Sequence, residues 1–386
     1  MTRELTALAE TLADAGRDGY LIDADWEDPN QLYLSGFTGP DPFLTVYADG
    51  RTHLLVSGLE YARAKRSSRA DVVRRHAEYD FQYGGREERL DMYAAFLDDV
   101  GVESVLMPAR GPIETADGLR ERGIDVAIDR EDALTALRAV KTDAEVDRIR
   151  AAQRATEAAM AAAESLLADA DVDDGTLVHD GEPLTSERVR EAIEVTLLRH
   201  GCASAETIVA GGAQAADPHD RGSGPLAAGE SIVIDVFPRD TETKYFADMT
   251  RTFAVGDPGD TLREWYDRTL EALEAAVDAV EPGATGEDVH VAACEVYEDA
   301  GHPTLRSDPE TETGFVHSTG HGVGLAVHEP PRLSMDAGEL EPGNVVTIEP
   351  GLYDPDVGGV RVEDLVVVTE DGCETLTDYP KRFVID

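Results

Sequence analysis

Asp235 lies in the apolar run Ile232 to Phe237, and Asp248 lies in a second candidate strand, Lys244 to Phe253. β-Branched and aromatic residues on either side of a polar, turn-favouring stretch read as a hairpin. With the turn centred on Thr241 and Glu242, the register places Asp235 directly across from Asp248, their Cβ atoms roughly 5 Å apart. Two carboxylates facing each other in an apolar sheet repel and lose hydration, so a cation is expected between them.

Two further stretches supply matching chemistry. Asn344 to Tyr353 and Gly358 to Val368 read as another apolar hairpin, with Glu349 and Glu363 on neighbouring strands. Between the hairpins runs His317 to Glu329, HSTGHGVGLAVHE, with imidazoles at His317, His321 and His328. Four carboxylates and one imidazole suit two divalent ions; manganese is favoured, with cobalt or zinc as alternatives, and the lack of thiolate disfavours soft metals. Such a centre acidifies a shared water and polarises a carbonyl, which is hydrolytic chemistry. The glycines of GHGVG are not followed by the Lys-Ser/Thr of a phosphate loop.

The elements that must position these groups form two parallel series. Thr142 and Glu145 make a capping box that opens an Ala-rich helix to about Ala168. A boundary near Val140 divides the chain into residues 1–138 and 139–386. A helix capped near Ser186 and ending at His200 and Gly201 follows, then a strand at Ala205–Gly212, a loop bearing Asp217, Pro218 and His219, and the Asp hairpin. The order then repeats: helices Thr261–Val280 and Gly286–Ala300, the histidine-bearing strands and the Glu hairpin. This recurrence implies an internal pseudo-twofold.

The first 138 residues alternate helix and strand signals. Leu5, Leu8 and Leu12 share a helical face. Strands are expected at Gly19–Ile22, Phe43–Tyr47, Thr52–Val56 and Val105–Met107, the second and third joined at Asp49 and Gly50. This is a smaller α/β domain with no catalytic cluster, suited to scaffolding or oligomerisation. His76 stands apart from the motifs and reads as a structural or solvated group, and His200, His290 and His302 read as caps or solvated surface groups.

A formal charge of −45 argues against nucleic acid or an anionic membrane as partner, since both would be repelled. Lys65, Lys141, Lys244 and Lys381 are the only lysines among 34 basic residues. Acid excess with so little lysine resembles proteins of very salty cytoplasm, where molar salt shortens the Debye length to about 3 Å. Three scattered cysteines fit a reducing compartment. The N-terminal stretch is amphipathic and acidic, unlike a signal peptide, and no run approaches membrane-spanning length; a cytoplasmic location is expected.

IDVFPR with YFADMTRTF, HSTGHGVGLAVHE, TIEPGLY and GGVRVEDL resemble the five-ligand motifs of the pita-bread metallopeptidases, which include methionine aminopeptidase, aminopeptidase P and prolidase. YLSGF and the strands after it resemble the creatinase-type N-terminal domain, which points toward the Xaa-Pro peptidases. The resemblance implies an α/β (α+β) architecture, with a pita-bread catalytic domain at 139–386 and a creatinase-like domain at 1–138. It implies metal ligation by Asp235, Asp248, His321, Glu349 and Glu363, and catalytic roles for His219, His328 and, as proton shuttle, Glu349. His317 matches a substrate-side histidine, Arg361 an arginine that supports the site, and Arg332 an arginine that receives a substrate carboxylate. Two divalent ions, peptides with proline second and a homodimer follow from the same likeness. Phe237 departs from the pattern, standing where the family often has glycine. A metal-free creatinase-like hydrolase and a noncatalytic binding protein of this fold are the alternatives, both disfavoured by the intact ligand set.

Overall fold

The computed structural model describes residues 5–81, 84–204 and 206–385. They form two compact units, one extending to Arg138 and the other beginning at Ala139.

The first unit is built on a six-stranded sheet in the order Val72–Arg75, Arg51–Val56, Phe43–Ala48, Gly19–Ala24, Ser104–Pro108, Asp125–Asp129. Asp49 and Gly50 both take positive φ, 48° and 71°, which gives the tight turn that a twisted two-residue hairpin requires. Helices Arg86–Asp99 and Ile113–Glu121 bury Leu90, Phe96, Leu97 and Leu119 against Leu21, Leu44, Val46 and Val105 of the sheet.

In the second unit the Thr142 capping box is formed, its backbone N–H donating to the Glu145 carboxylate at 2.9 Å, and the helix runs Asp143–Ala168. Alanines recur on its buried face, so the helix axis can approach closely the sheet that carries Ile232, Ile234, Met249 and Phe253. The next helix, Ser186–Arg199, is capped by the Thr185 hydroxyl. Its sheet has the order Ile208–Gly211, Ile232–Val236, Met249–Val255, Val384–Ile385. Ala205, expected to open the first of these strands, lies outside the described residues.

The second series repeats the plan. Helices Gly259–Asp278 and Gly286–Asp299 bury Leu273, Ala276, Ala293 and Tyr297 with Val346, Ile348 and Val366. The sheet order is Glu329–Leu333, Gly320–Gly322, Val345–Ile348, Asp364–Thr369, Gly372–Thr375. Each fully buried leucine, isoleucine or valine among them contributes roughly 1.5–3 kcal/mol. Among the described residues no helix is long and apolar enough to cross a membrane.

The Asp hairpin corrects the expected register. Asp235 pairs with Thr250, not Asp248. The Asp240 carboxylate accepts the backbone N–H groups of Glu242 and Thr243, and Lys244 takes φ 69°, which moves the turn one residue toward the C-terminus. A one-residue shift of the turn centre moves the pairing by two, so Asp248 stays on the face of Asp235 but lies diagonal to it.

The Glu hairpin pairs Val345 with Val367 through Ile348 with Asp364, then resumes at Gly351 with Arg361. Glu349 and Glu363 fall together at the interruption. Their N–H groups leave the ladder, Glu349 donating to the Thr319 carbonyl at 2.8 Å and Glu363 to the Thr250 carbonyl at 3.1 Å. The second of these bonds joins the two acidic hairpins.

Candidate metal centre and active-site cavity

The carboxylates converge because three strand ends meet. Single donor oxygens of Asp235, Asp248 and Glu363 all lie within 4.8 Å of one another. His321 Nε2 stands 3.3 Å from Glu349 Oε1 and 3.9 Å from Asp248 Oδ2, so Asp248 links the acidic group of three to the His321–Glu349 pair. Burial, then repulsion from Glu363 and Asp235, pushes the Asp248 carboxyl well above its ordinary range. Burial followed by Glu349 and Asp235 does the same to Glu363. Burial holds the His321 imidazole neutral, its pKa lowered to about 3.

Asp235 Oδ1 and Glu363 Oε1 are buried without a hydrogen-bond partner. Buried carboxylate oxygens normally find donors, and leaving one unmet costs on the order of 1–3 kcal/mol or more. Two such oxygens beside a neutral imidazole, with no thiolate in the group, fit hard or borderline divalent cations.

Around the cluster opens a cavity of about 540 Å³. It gathers all ten residues singled out from the sequence: His219, Asp235, Asp248, His317, His321, His328, Arg332, Glu349, Arg361 and Glu363. They grade with depth. Asp248, His321, Arg361 and Glu363 are buried, whereas His219, His328 and Arg332 are exposed. The His328 ring stands edge-on to that of His321, centroids 4.3 Å apart, and Arg332 pairs with His321 across the strands.

Arg361 faces inward and engages protein groups. It donates to Asp235 Oδ2 at 2.8 Å, to the Thr250 hydroxyl at 3.1 Å and to the Tyr353 hydroxyl at 3.0 Å. Thr250 in turn donates to Glu363 Oε2 at 2.8 Å. Arg361 thus fixes one oxygen of Asp235 and, through Thr250, one of Glu363, leaving the other oxygen of each aimed at the cluster. Both His317 nitrogens are also engaged, Nδ1 with the Ser318 carbonyl at 2.7 Å and Nε2 with Tyr353 at 3.0 Å.

Several supporting residues were missed in the sequence. Thr347 donates to Glu349 Oε1 at 3.2 Å and accepts the His321 N–H at 3.0 Å. Gln153, on the long helix, accepts the Asp248 N–H at 3.3 Å. Lys141 and Glu329 form a buried ion pair at 2.7 Å, next in sequence to His328. Tyr353 lay inside the quoted TIEPGLY motif and Thr250 two residues past Asp248, at the period that keeps a strand residue on one face. Thr347 opens the same TIEPGLY motif, two residues before Glu349, whereas Gln153 and Lys141 carried no comparable signal.

His290 requires a correction. It is not a solvated or capping group: it is 5% exposed, and its Nδ1 lies 2.8 Å from the Thr319 hydroxyl. It faces inward at a position on helix Gly286–Asp299 that packs on the second sheet. Burial lowers its pKa to about 4. His200 is exposed near the end of its helix.

Comparison with known proteins bears on the same residues. Residues 147–370 match the Metallopeptidase family M24, and residues 5–151 match the Creatinase/Prolidase N-terminal domain. The chain is 32% identical to an Xaa-Pro dipeptidase of Pyrococcus furiosus, over 92% of each chain. Among solved structures, a prolidase from Pyrococcus horikoshii OT3 superposes with a TM-score of 0.82 at 27% identity, covering 99% of this chain and 100% of that one. An X-Pro aminopeptidase from Thermotoga maritima superposes at 0.79 with 26% identity, covering 96% and 98%. The chain therefore belongs to metallopeptidase family M24, and it carries the mixed helix-and-sheet fold of the prolidases and aminopeptidases of that family.

Proposed function

We propose that this protein is a metal-dependent peptidase that hydrolyses the bond before proline in short peptides, with residues 139–386 as its catalytic domain. The observation that carries the reading is the convergence of Asp235, Asp248, Glu363, Glu349 and His321 at the floor of one cavity, with two buried carboxylate oxygens left without donors. These five residues would hold two divalent ions, manganese first, with cobalt or zinc as alternatives. Bound there, the ions supply Lewis acidity toward the scissile carbonyl and an acidified water.

The chain's own groups do the rest. A prolyl nitrogen carries no hydrogen in the peptide, so it must receive a proton as it leaves. Glu349, which lines the cavity with one oxygen accepting from Thr347, passes that proton in this reading. His219 and His328 line the open side and donate to the carbonyl oxygen as it gains charge. Arg332 receives the substrate carboxylate, while Arg361 keeps Asp235 oriented and His317 forms a wall on the substrate side.

The name of the Pyrococcus relative favours dipeptides; the Thermotoga neighbour keeps longer substrates in view. Hydrolysis of Gly-Pro, Ala-Pro and Ala-Pro-Ala, measured side by side in high KCl with metal restored after chelation, tests the reading. Turnover of dipeptides alone makes it a prolidase with Arg332 as the clamp. Turnover of the tripeptide makes it an aminopeptidase P. No metal-dependent turnover of any of them refutes the proposal. A homodimer, a cytoplasmic location and adaptation to high salt complete the reading, the last supported by a formal charge of −45, whose self-repulsion molar KCl would screen.

A further inference from the structure

The carboxylate cluster has an apolar flank. Ile208 pairs directly with Asp235 across the neighbouring strand, and Asp235 pairs on its other side with Thr250, so the three side chains form one row on one face of the sheet. Phe237 lies two residues beyond Asp235 and therefore on the same face. The register continues past the strand end, with the Ala247 N–H donating to the Pro238 carbonyl and Arg239 bridging Phe246. That places Phe237 opposite Asp248. Two adjacent rows thus each set one apolar side chain beside one aspartate: Ile208 with Asp235, and Phe237 with Asp248. Both apolar residues line the cavity, and Phe237 is its one phenyl group among the described residues.

We infer that Ile208 and Phe237 form the wall that receives the side chain of the residue before proline, and that they select apolar residues there. The assignment rests on the peptidase reading above. A dipeptide is polar end to end, with an amino group at one terminus and a carboxylate at the other. The acidic cluster attracts the amino end, and Arg332, on the strand pair of the second sheet, attracts the carboxylate end. The residue carrying the amino group then sits over Asp235 and Asp248, with its side chain against Ile208 and Phe237. A polar or charged side chain there would lose hydration against two hydrocarbon surfaces without gaining a partner.

The test compares kcat/KM for Leu-Pro and Gly-Pro in the metal-loaded wild type and in Phe237→Ala, Ile208→Ala and Phe237→Leu. Contacts of this size in an apolar pocket are worth about tenfold or more in discrimination. The ratio of Leu-Pro to Gly-Pro is expected to fall about tenfold in each alanine variant, mainly through KM, and to stay within about threefold in Phe237→Leu. Metal content and circular dichroism are expected to match the wild type, and if one alanine variant does not fold the other carries the test. Turnover of both dipeptides with an unchanged ratio in both alanine variants would overturn the wall assignment alone. If the wild type turns over neither dipeptide, the same ratio is read on Leu-Pro-Ala and Gly-Pro-Ala, and turnover of none of the four would overturn the peptidase reading and the wall with it.

Discussion

Asp129 ends a strand in the N-terminal unit, and Glu363 stands at the break of a hairpin in the C-terminal unit; they are 3% and 1% exposed. Asp129 is met by the protein. Its oxygens accept the Tyr20 hydroxyl at 2.9 Å and the backbone N–H groups of Glu131 and Ala133 at 3.1 and 2.9 Å. Glu363 accepts one bond, from Thr250, and its other oxygen has none. The chain had hydroxyls and a buried guanidinium available around Glu363 and directed them to one side of the cluster. A buried acid that the fold saturates is structural, whereas a set of buried acids that the fold orients and leaves partly open is a receptor for positive charge.

The largest expected effect falls on the open set. Asp248→Ala should abolish metal binding and activity together, a loss of at least about a thousandfold in turnover, yet leave the chelator-treated protein no less stable than wild type. Calorimetric metal titration and melting curves in chelator decide it, and marked destabilisation of the chelated variant would erase the contrast with Asp129. His328→Ala, at the exposed side of the same cavity, should retain metal and lose about 10²–10⁴-fold in kcat. Equal metal loss in both variants would contradict the separation of ligands from rim groups.

A closed pair sharpens the contrast inside the C-terminal unit itself. Arg251 is fully buried and donates to Asp364 at 2.8 Å, to the Glu363 carbonyl and to the carbonyls of Tyr379 and Pro380. Lys381 also reaches Asp364, at 2.5 Å. Arg251→Met should cost about 3 kcal/mol, read by denaturant unfolding, because it leaves the buried Asp364 carboxylate to Lys381 alone and removes the donor to the carbonyls of Glu363, Tyr379 and Pro380. Asp129→Ala should cost about 1–3 kcal/mol and leave metal affinity unchanged; altered affinity would mean that the first unit's acid is not purely structural.

The smallest effect concerns a buried group held neutral. His290 has its folded pKa lowered by burial to about 4, against about 6.5 when unfolded. The unfolded chain therefore binds the proton more readily between these values. The stability that His290 contributes is complete above about pH 6.5 and is lost as pH falls toward 4. Histidine NMR titration is expected to place its imidazole near 4; a value near 6.5 would return it to the solvated class.

Much of this arrangement was legible from local pattern. The Thr142–Glu145 capping box, the Asp49-Gly50 turn and the repeated order of helices and hairpins follow from hydrogen bonding and periodicity within a few residues of each position. The chemistry of the cavity was legible too, because acids and histidines inside apolar strands are costly unless something offsets them. The pairing of Asp235 with Thr250 was not, since a turn held by Asp240 moved the register by two residues. His290 could not be placed either, because a lone histidine on a helix carries no sign of which neighbour will cover it.

The amino-acid sequence by itself determined which side chains could carry charge and ligate metal, and which short segments would be helix or strand, since both depend on residue type and near neighbours. Only the tertiary structure decided that Asp248 lies opposite Phe237's position, that Arg361 and Thr250 each hold one oxygen of an acid while leaving the other open, and that Gln153 and Lys141 come to support a site far along the chain. Those relations depend on register, on strand ends meeting and on burial, which arise only when distant segments pack.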